Sequence, residues 1–164
     1  MPAHLVHVGY GLPRKGLPAA TSVRRWVAAA LAGHRRGVEL SVRYVGSDEG
    51  RALNRDYRGR DYATNVLSFP VELPPGVRSP LLGDLVVCAP VAALEALAQD
   101  KPLAHHHAHL VVHGVLHLLG MDHERSEAEA CAMEARERRI LAGLGIADPY
   151  AVPATAAPAT PRGA

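Results

Sequence analysis

Between His113 and His123 the chain reads HGVLHLLGMDH, three histidines spaced so that one helix and one turn bring them to a common point. Residues four apart share a helix face, about 6 Å apart along the axis, so the helix itself aligns His113 with His117. Gly120 stands where the chain must turn back, and glycine takes the left-handed backbone that ends a helix and carries His123 round. Three neutral imidazoles leave one tetrahedral position open, the ligand pattern of a catalytic zinc rather than a structural one. The same spacing occurs in zinc peptidases that place a glutamate after the first histidine as general base. Gly114 occupies that position here and cannot accept a proton.

The remaining histidines crowd the same segment. His105, His109, His113 and His117 form a ladder at four-residue steps, and His106 and His107 lie between its rungs. Three ligands on one straight helix would span roughly 12 Å, too far to surround one ion with bonds of about 2 Å. The set that includes the turn is therefore the feasible one. His109 is expected to hydrogen-bond beside the ligands rather than to join them.

A second chemistry lies upstream. Arg51, Arg55 and Arg58 recur at helical spacing and Arg60 follows, a basic face suited to phosphates. Arg24, Arg25, Arg35 and Arg36 add two further pairs. A net charge of +2 and a pI near 8.7 decide little about partners. The competing role for these arginines is a solvated face, and for Arg58 a structural ion pair with Asp56, Asp61 or Glu49.

At 164 residues the chain has the length of one domain with a real core. We place that domain at 1–149 and an Ala/Pro-rich disordered tail at 150–164. Cys88 and Cys131 have no CxxC spacing and read as reduced thiols. No apolar stretch approaches a membrane span and no leader pattern opens the chain, so a soluble cytoplasmic protein is expected. The periodicity predicts a strand in HLVHVGY, a helix over Leu17 to Leu31 and a strand from Val38. Ser47 is expected to cap a helix that turns Leu53 inward and its arginines outward. Two adjacent strands follow, Thr64 to Glu72 and Leu81 to Cys88. Pro90 and Pro102 open two helices, and Arg125 to Leu144 forms a last one with Ala132, Met133, Ile140 and Leu141 as its apolar side.

Four blocks in order carry a resemblance: LNRDYRGRDYATNVLSFP from Leu53, LLGDLVV from Leu81, HGVLHLLGMDH from His113, and DPY at Asp148 to Tyr150. Together they resemble the YbeY-type bacterial endoribonucleases, zinc-dependent factors of ribosomal RNA maturation. Ala63, where that family often has proline, and Met121, where an aromatic or polar residue is frequent, depart from its pattern without touching a ligand. The resemblance implies an α/β (α+β, zincin-like) fold, a small mixed sheet of about four strands packed with about five helices around a central metal-binding helix. It implies one Zn²⁺ per chain on His113, His117 and His123, with Arg58 and His113 catalytic, while the basic face makes Arg51, Arg55 and Arg60 candidates for contact with RNA. Asp122 and Glu124, flanking the last ligand, are the nearest candidates for proton transfer, although either can instead orient a histidine or cap a helix.

The implied activity is cleavage of single-stranded RNA, at the 3' end of the small-subunit ribosomal RNA precursor and in ribosome quality control. The small ribosomal subunit, a ribosomal protein and a ribosome-associated GTPase are the implied partners. Attack by water and attack by the RNA 2'-hydroxyl both remain open. So do a ribosome-assembly factor with little catalysis and a zinc peptidase, and the oligomeric state is undetermined.

Overall fold

The hydrophobic period alternates along the chain between strand-like and helix-like, and the computed structural model, which describes residues 3–151, follows it. Its elements are β1 (Leu5–Tyr10), α1 (Ala20–Ala30), β2 (Glu39–Val45), α2 (Ser47–Arg58), β3 (Val66–Pro70), β4 (Leu81–Cys88), α3 (Ala89–Ala98), α4 (Leu103–Leu118) and α5 (Glu127–Gly143). The strands form one mixed sheet in the order β1-β2-β4-β3, with β1, β2 and β4 parallel and β3 antiparallel to β4. Pro70 ends β3 at the sheet edge, where its missing N–H costs no ladder bond. The expected α/β architecture and the adjacency of β3 and β4 are therefore present.

Both faces of the inner strands are covered, because successive side chains point to opposite sides. Leu85 and Val87 of β4 join Leu40, Val42 and Tyr44 of β2 in the main core, packed against α1, α4 and α5. Val86 and Cys88 face the other way, into a smaller cluster with Leu67 and with Leu53 of α2. From His106 to Leu118 the helix α4 is buried all round except at His109, His113 and His117. The histidine ladder is thus the one stripe of that stretch left partly open.

Several element boundaries differ from expectation for local reasons. Pro18 disfavours helix at Leu17, so α1 begins only at Ala20. Gly46, not Ser47, caps α2, and Ser47 is its first helical residue without a side-chain capping bond. Pro102 likewise stands before α4 rather than in its first turn. Ser126 caps α5 by accepting from the Glu129 N–H at 3.1 Å, which moves that start from Arg125 to Glu127. Of the expected tail, residues 152–164 lie outside the described part. Tyr150 lies inside it and is tied to α5.

His107 sits on the core side of α4, 1% exposed, its ring edge-on to Tyr44 with centroids 5.4 Å apart. Burial, with neighbouring His106 adding to it, lowers this imidazole from 6.5 to about 4. Between those values the unfolded chain takes up a proton that the folded chain refuses, so stability falls as the pH drops through that window. The loss is about 3 kcal/mol at most. A His107→Met variant should show a flatter acid limb in urea unfolding at pH 4 to 6.5; an unchanged limb assigns acid sensitivity to other groups.

Candidate metal centre

The turn after α4 is built as the glycine requires. Gly120 has φ +99°, its N–H donates to the His117 carbonyl at 2.9 Å, and the Met121 N–H donates to that of Leu116 at 3.1 Å. This paired closure of a helix end satisfies two otherwise orphaned carbonyls and reverses the chain. Asp122 then accepts from the Glu124 N–H at 2.8 Å and pairs with Arg125 at 3.4 Å, fixing the loop that carries His123. Ring centroids of His113 and His117 lie 5.3 Å apart, those of His113 and His123 5.1 Å, and those of His117 and His123 5.3 Å.

One ring nitrogen from each of the three lies within 4.8 Å of the others. Ligand atoms on a tetrahedral zinc are about 3.3 Å apart, given bonds of 2.0–2.1 Å, so small side-chain adjustments bring the set to ligating distance. Burial foremost, then His113 and His123, depresses the pKa of His117 and favours the neutral, ligating form. The donor set therefore fits a zinc-like ion. A glutamate in place of Gly114 would force the fully buried Leu85 to shift, because a Cβ there would lie 2.7 Å from Leu85 Cδ2. The position faces the sheet, and a carboxylate built on it would enter the core.

Glu137 was not foreseen from the sequence, and it organises the floor of the site. It is fully buried on α5 between Met133 and Leu141, at the helical interval of an apolar face. That misplaced charge was the available signal. Its carboxylate lies 2.7 Å from His109 Nε2 and 3.3 Å from His113 Nδ1, and it accepts from the Tyr150 hydroxyl at 2.8 Å. Burial alone would raise this carboxyl; the hydrogen bonds from His109 and His113 outweigh it and bring it down to about 2. His109, His113 and Glu137 also cluster closely enough to suggest a second ion. The 2.7 Å contact is, however, a hydrogen bond shorter than the about 3.3 Å edge of a zinc tetrahedron. With Nδ1 engaged by Glu137, His113 is left with Nε2 to face the other two histidines.

A pocket of about 450 Å³ opens from the three histidines toward Arg58, Arg60, Tyr62 and Glu124. The acids named above as structural partners of Arg58 are taken by other arginines: Glu49 by Arg43, Asp61 by Arg51 and Asp56 by Arg55. Arg58 forms no ion pair among the described residues and lines the pocket. Arg51 and Arg55 stay outside it. Of the two flanking carboxylates, Glu124 lines the pocket, 4.0 Å from His123 Nε2, whereas Asp122 is committed to the turn. His109 lines the pocket but bonds to Glu137.

Fold and site together define an α/β protein that gathers three imidazoles beside a pocket with an unpaired arginine. The family model for endoribonuclease YbeY matches residues 17–145, and the chain belongs to that family. A protein of Stenotrophomonas maltophilia named endoribonuclease YbeY is 65% identical over 150 residues, covering 89% of this chain and 92% of the relative. One of the same name from Xanthomonas axonopodis pv. citri is 63% identical over 150 residues, with the same coverage. The solution structure of a Thermotoga maritima protein shares the fold at a TM-score of 0.58 and 23% identity, covering 90% of this chain and all of that one.

A carboxylate that receives the second nitrogen of a ligating histidine fixes its tautomer and raises its basicity. Glu137→Gln keeps the volume but turns an amide donor toward one of the two histidines. Chelator competition on the folded variant should show zinc affinity falling about 10- to 100-fold, alongside the loss of roughly a few degrees in thermal midpoint that a mispaired buried amide costs; full affinity would reduce Glu137 to packing.

Proposed function

We propose that the protein is a zinc-dependent endoribonuclease of single-stranded RNA, with His113, His117 and His123 as ligands and Arg58 as the phosphate clamp. The observation that carries this reading is the unpaired Arg58 on the pocket that the three histidines enter. A zinc ion bound there supplies Lewis acidity toward a phosphate oxygen and makes coordinated water easier to deprotonate. The guanidinium fork of Arg58 takes two phosphate oxygens at once and opposes the charge that builds up as the diester is cleaved. Arg60, which lines the pocket together with Glu124, steers the incoming backbone. Glu124 is the carboxylate placed to accept a proton at the pocket; Asp122 has its oxygens in the turn.

Membership in the YbeY family supports RNA over peptide as substrate, and the glycine at position 114 leaves the peptidase base without a side chain. We extend the proposal to precursor ribosomal RNA, at the 3' end of the small-subunit molecule, and to quality control of the small subunit with a ribosomal protein and a GTPase as partners. Among the described residues no helix is long and apolar enough to cross a membrane, in keeping with work on ribosomes in the cytoplasm.

His117→Ala should lose stoichiometric zinc by elemental analysis together with RNA cleavage, and a variant retaining one zinc per chain overturns the ligand set. Arg58→Glu should keep zinc and thermal stability but cleave at least about 100-fold more slowly; unchanged cleavage returns Arg58 to a surface role.

A further inference from the structure

Tyr62 is half exposed, at 50%, on the wall of the pocket between the arginines and the histidines. Its neighbour Ala63 packs into the smaller core cluster, so the chain reaches the interior there and still leaves the large ring outside. The backbone is held firmly. Asn54, 2% exposed on α2, donates from Nδ2 to the Tyr62 carbonyl at 2.8 Å, and its main-chain carbonyl accepts the Arg60 N–H at 3.3 Å. Asp61, next in the chain, is pinned by Arg51 through two bonds of 2.8 and 3.0 Å. A buried amide is thus used to present an aromatic ring to solvent.

The ring is also uncommitted. Tyr150, the other tyrosine on this pocket, packs its ring against His109 and Arg138 and gives its hydroxyl to Glu137. Tyr62 has no aromatic partner among the described residues; its contact is the Arg60 guanidinium, donating to the hydroxyl at 3.3 Å. An open aromatic face beside arginines is the arrangement on which unstacked nucleobases settle while the cations follow the backbone.

We propose that Tyr62 is a base-stacking platform for one unpaired nucleotide of RNA, set beside the phosphate held by Arg58. This deepens the endoribonuclease reading and rests on it. It gives single-strand selectivity a physical source, since a base within a duplex already has both faces covered and cannot lie on the ring.

The test uses zinc-loaded full-length protein and a fluorescein-labelled single-stranded 2'-O-methyl oligoribonucleotide, which has no 2'-hydroxyl to attack and is checked on a gel after each titration for cutting by water. Tyr62→Ala should weaken binding about 5- to 150-fold, the range for loss of one aromatic–base stack, whereas Tyr62→Phe should stay within about twofold. Tyr57→Ala serves as the control, being 69% exposed near the same arginines but off the pocket. Scanning an abasic site along the oligonucleotide should reveal one position that weakens wild type and leaves Tyr62→Ala unaffected. If Tyr62→Ala binds as wild type while Arg58→Glu binds poorly, the platform is overturned and the nuclease reading stands. If Tyr62→Phe is as weak as Tyr62→Ala, the hydroxyl rather than the ring matters, and stacking is overturned. Failure of the wild type to bind any single strand overturns both.

Discussion

Helix α4 lies close on the sheet where Gly114 meets Leu85, a contact that leaves no free space for a side chain at position 114. Leu85 is paired across the sheet with Ser68 of β3, and Ser68 lines the pocket. The wall formed by β3 is therefore fixed to the sheet, while the opposite wall, the histidine stripe, rides on α4. A methyl group at position 114 would meet the Leu85 side chain at 2.7 Å, so that fully buried leucine or the helix would have to shift. Core interfaces of this kind tolerate little change in volume, so the residue that looks most inert in the motif is held to its size by packing.

Charge is sorted on the same principle of occupied and free partners. Arg43, Arg51 and Arg55 each hold a carboxylate, and these exposed pairs add little stability individually. Their effect is to consume the acids within reach of Arg58. On the other side of the site, a single buried carboxylate serves two histidines and a tyrosine, so Glu137 has a hydrogen-bonding partner in each direction. Such an arrangement suits a group whose unpaired burial would be costly.

The sequence made legible whatever depends on short spacing. His113, His117 and the turn at Gly120 could be placed because helix periodicity and glycine conformation are local properties, and β4 was located to the residue because its apolar run has sharp ends. Helix starts were displaced by a residue or more, since capping by Gly46 or Ser126 is settled by small differences in turn geometry. Glu137 had a signal in its place on an apolar helix face, but its partners did not, and Asn54 and Tyr150 had no local signal at all. Their roles exist only after α5, α2 and the segment following α5 have packed, and nothing in their immediate neighbours encodes the contact. The basic face was read correctly as helical. Which of its arginines is left unpaired depends on acids brought in by the tertiary fold.

The histidine stretch from 113 to 123 and the arm from 54 to 62 differ in how much of the molecule each needs. The first is closed by hydrogen bonds between residues within a few positions of one another, so its loop-closure cost is small and its geometry can be sampled early. The second meets the histidines only once β3 has paired with β4 and α4 has settled on the sheet. An ion captured during folding would bias the chain toward the helix and turn before a groove for a polymer existed. The short-range segment would thus supply the three imidazoles for an ion, while Glu137, which holds His113, and the arm from 54 to 62 join it only through the tertiary fold.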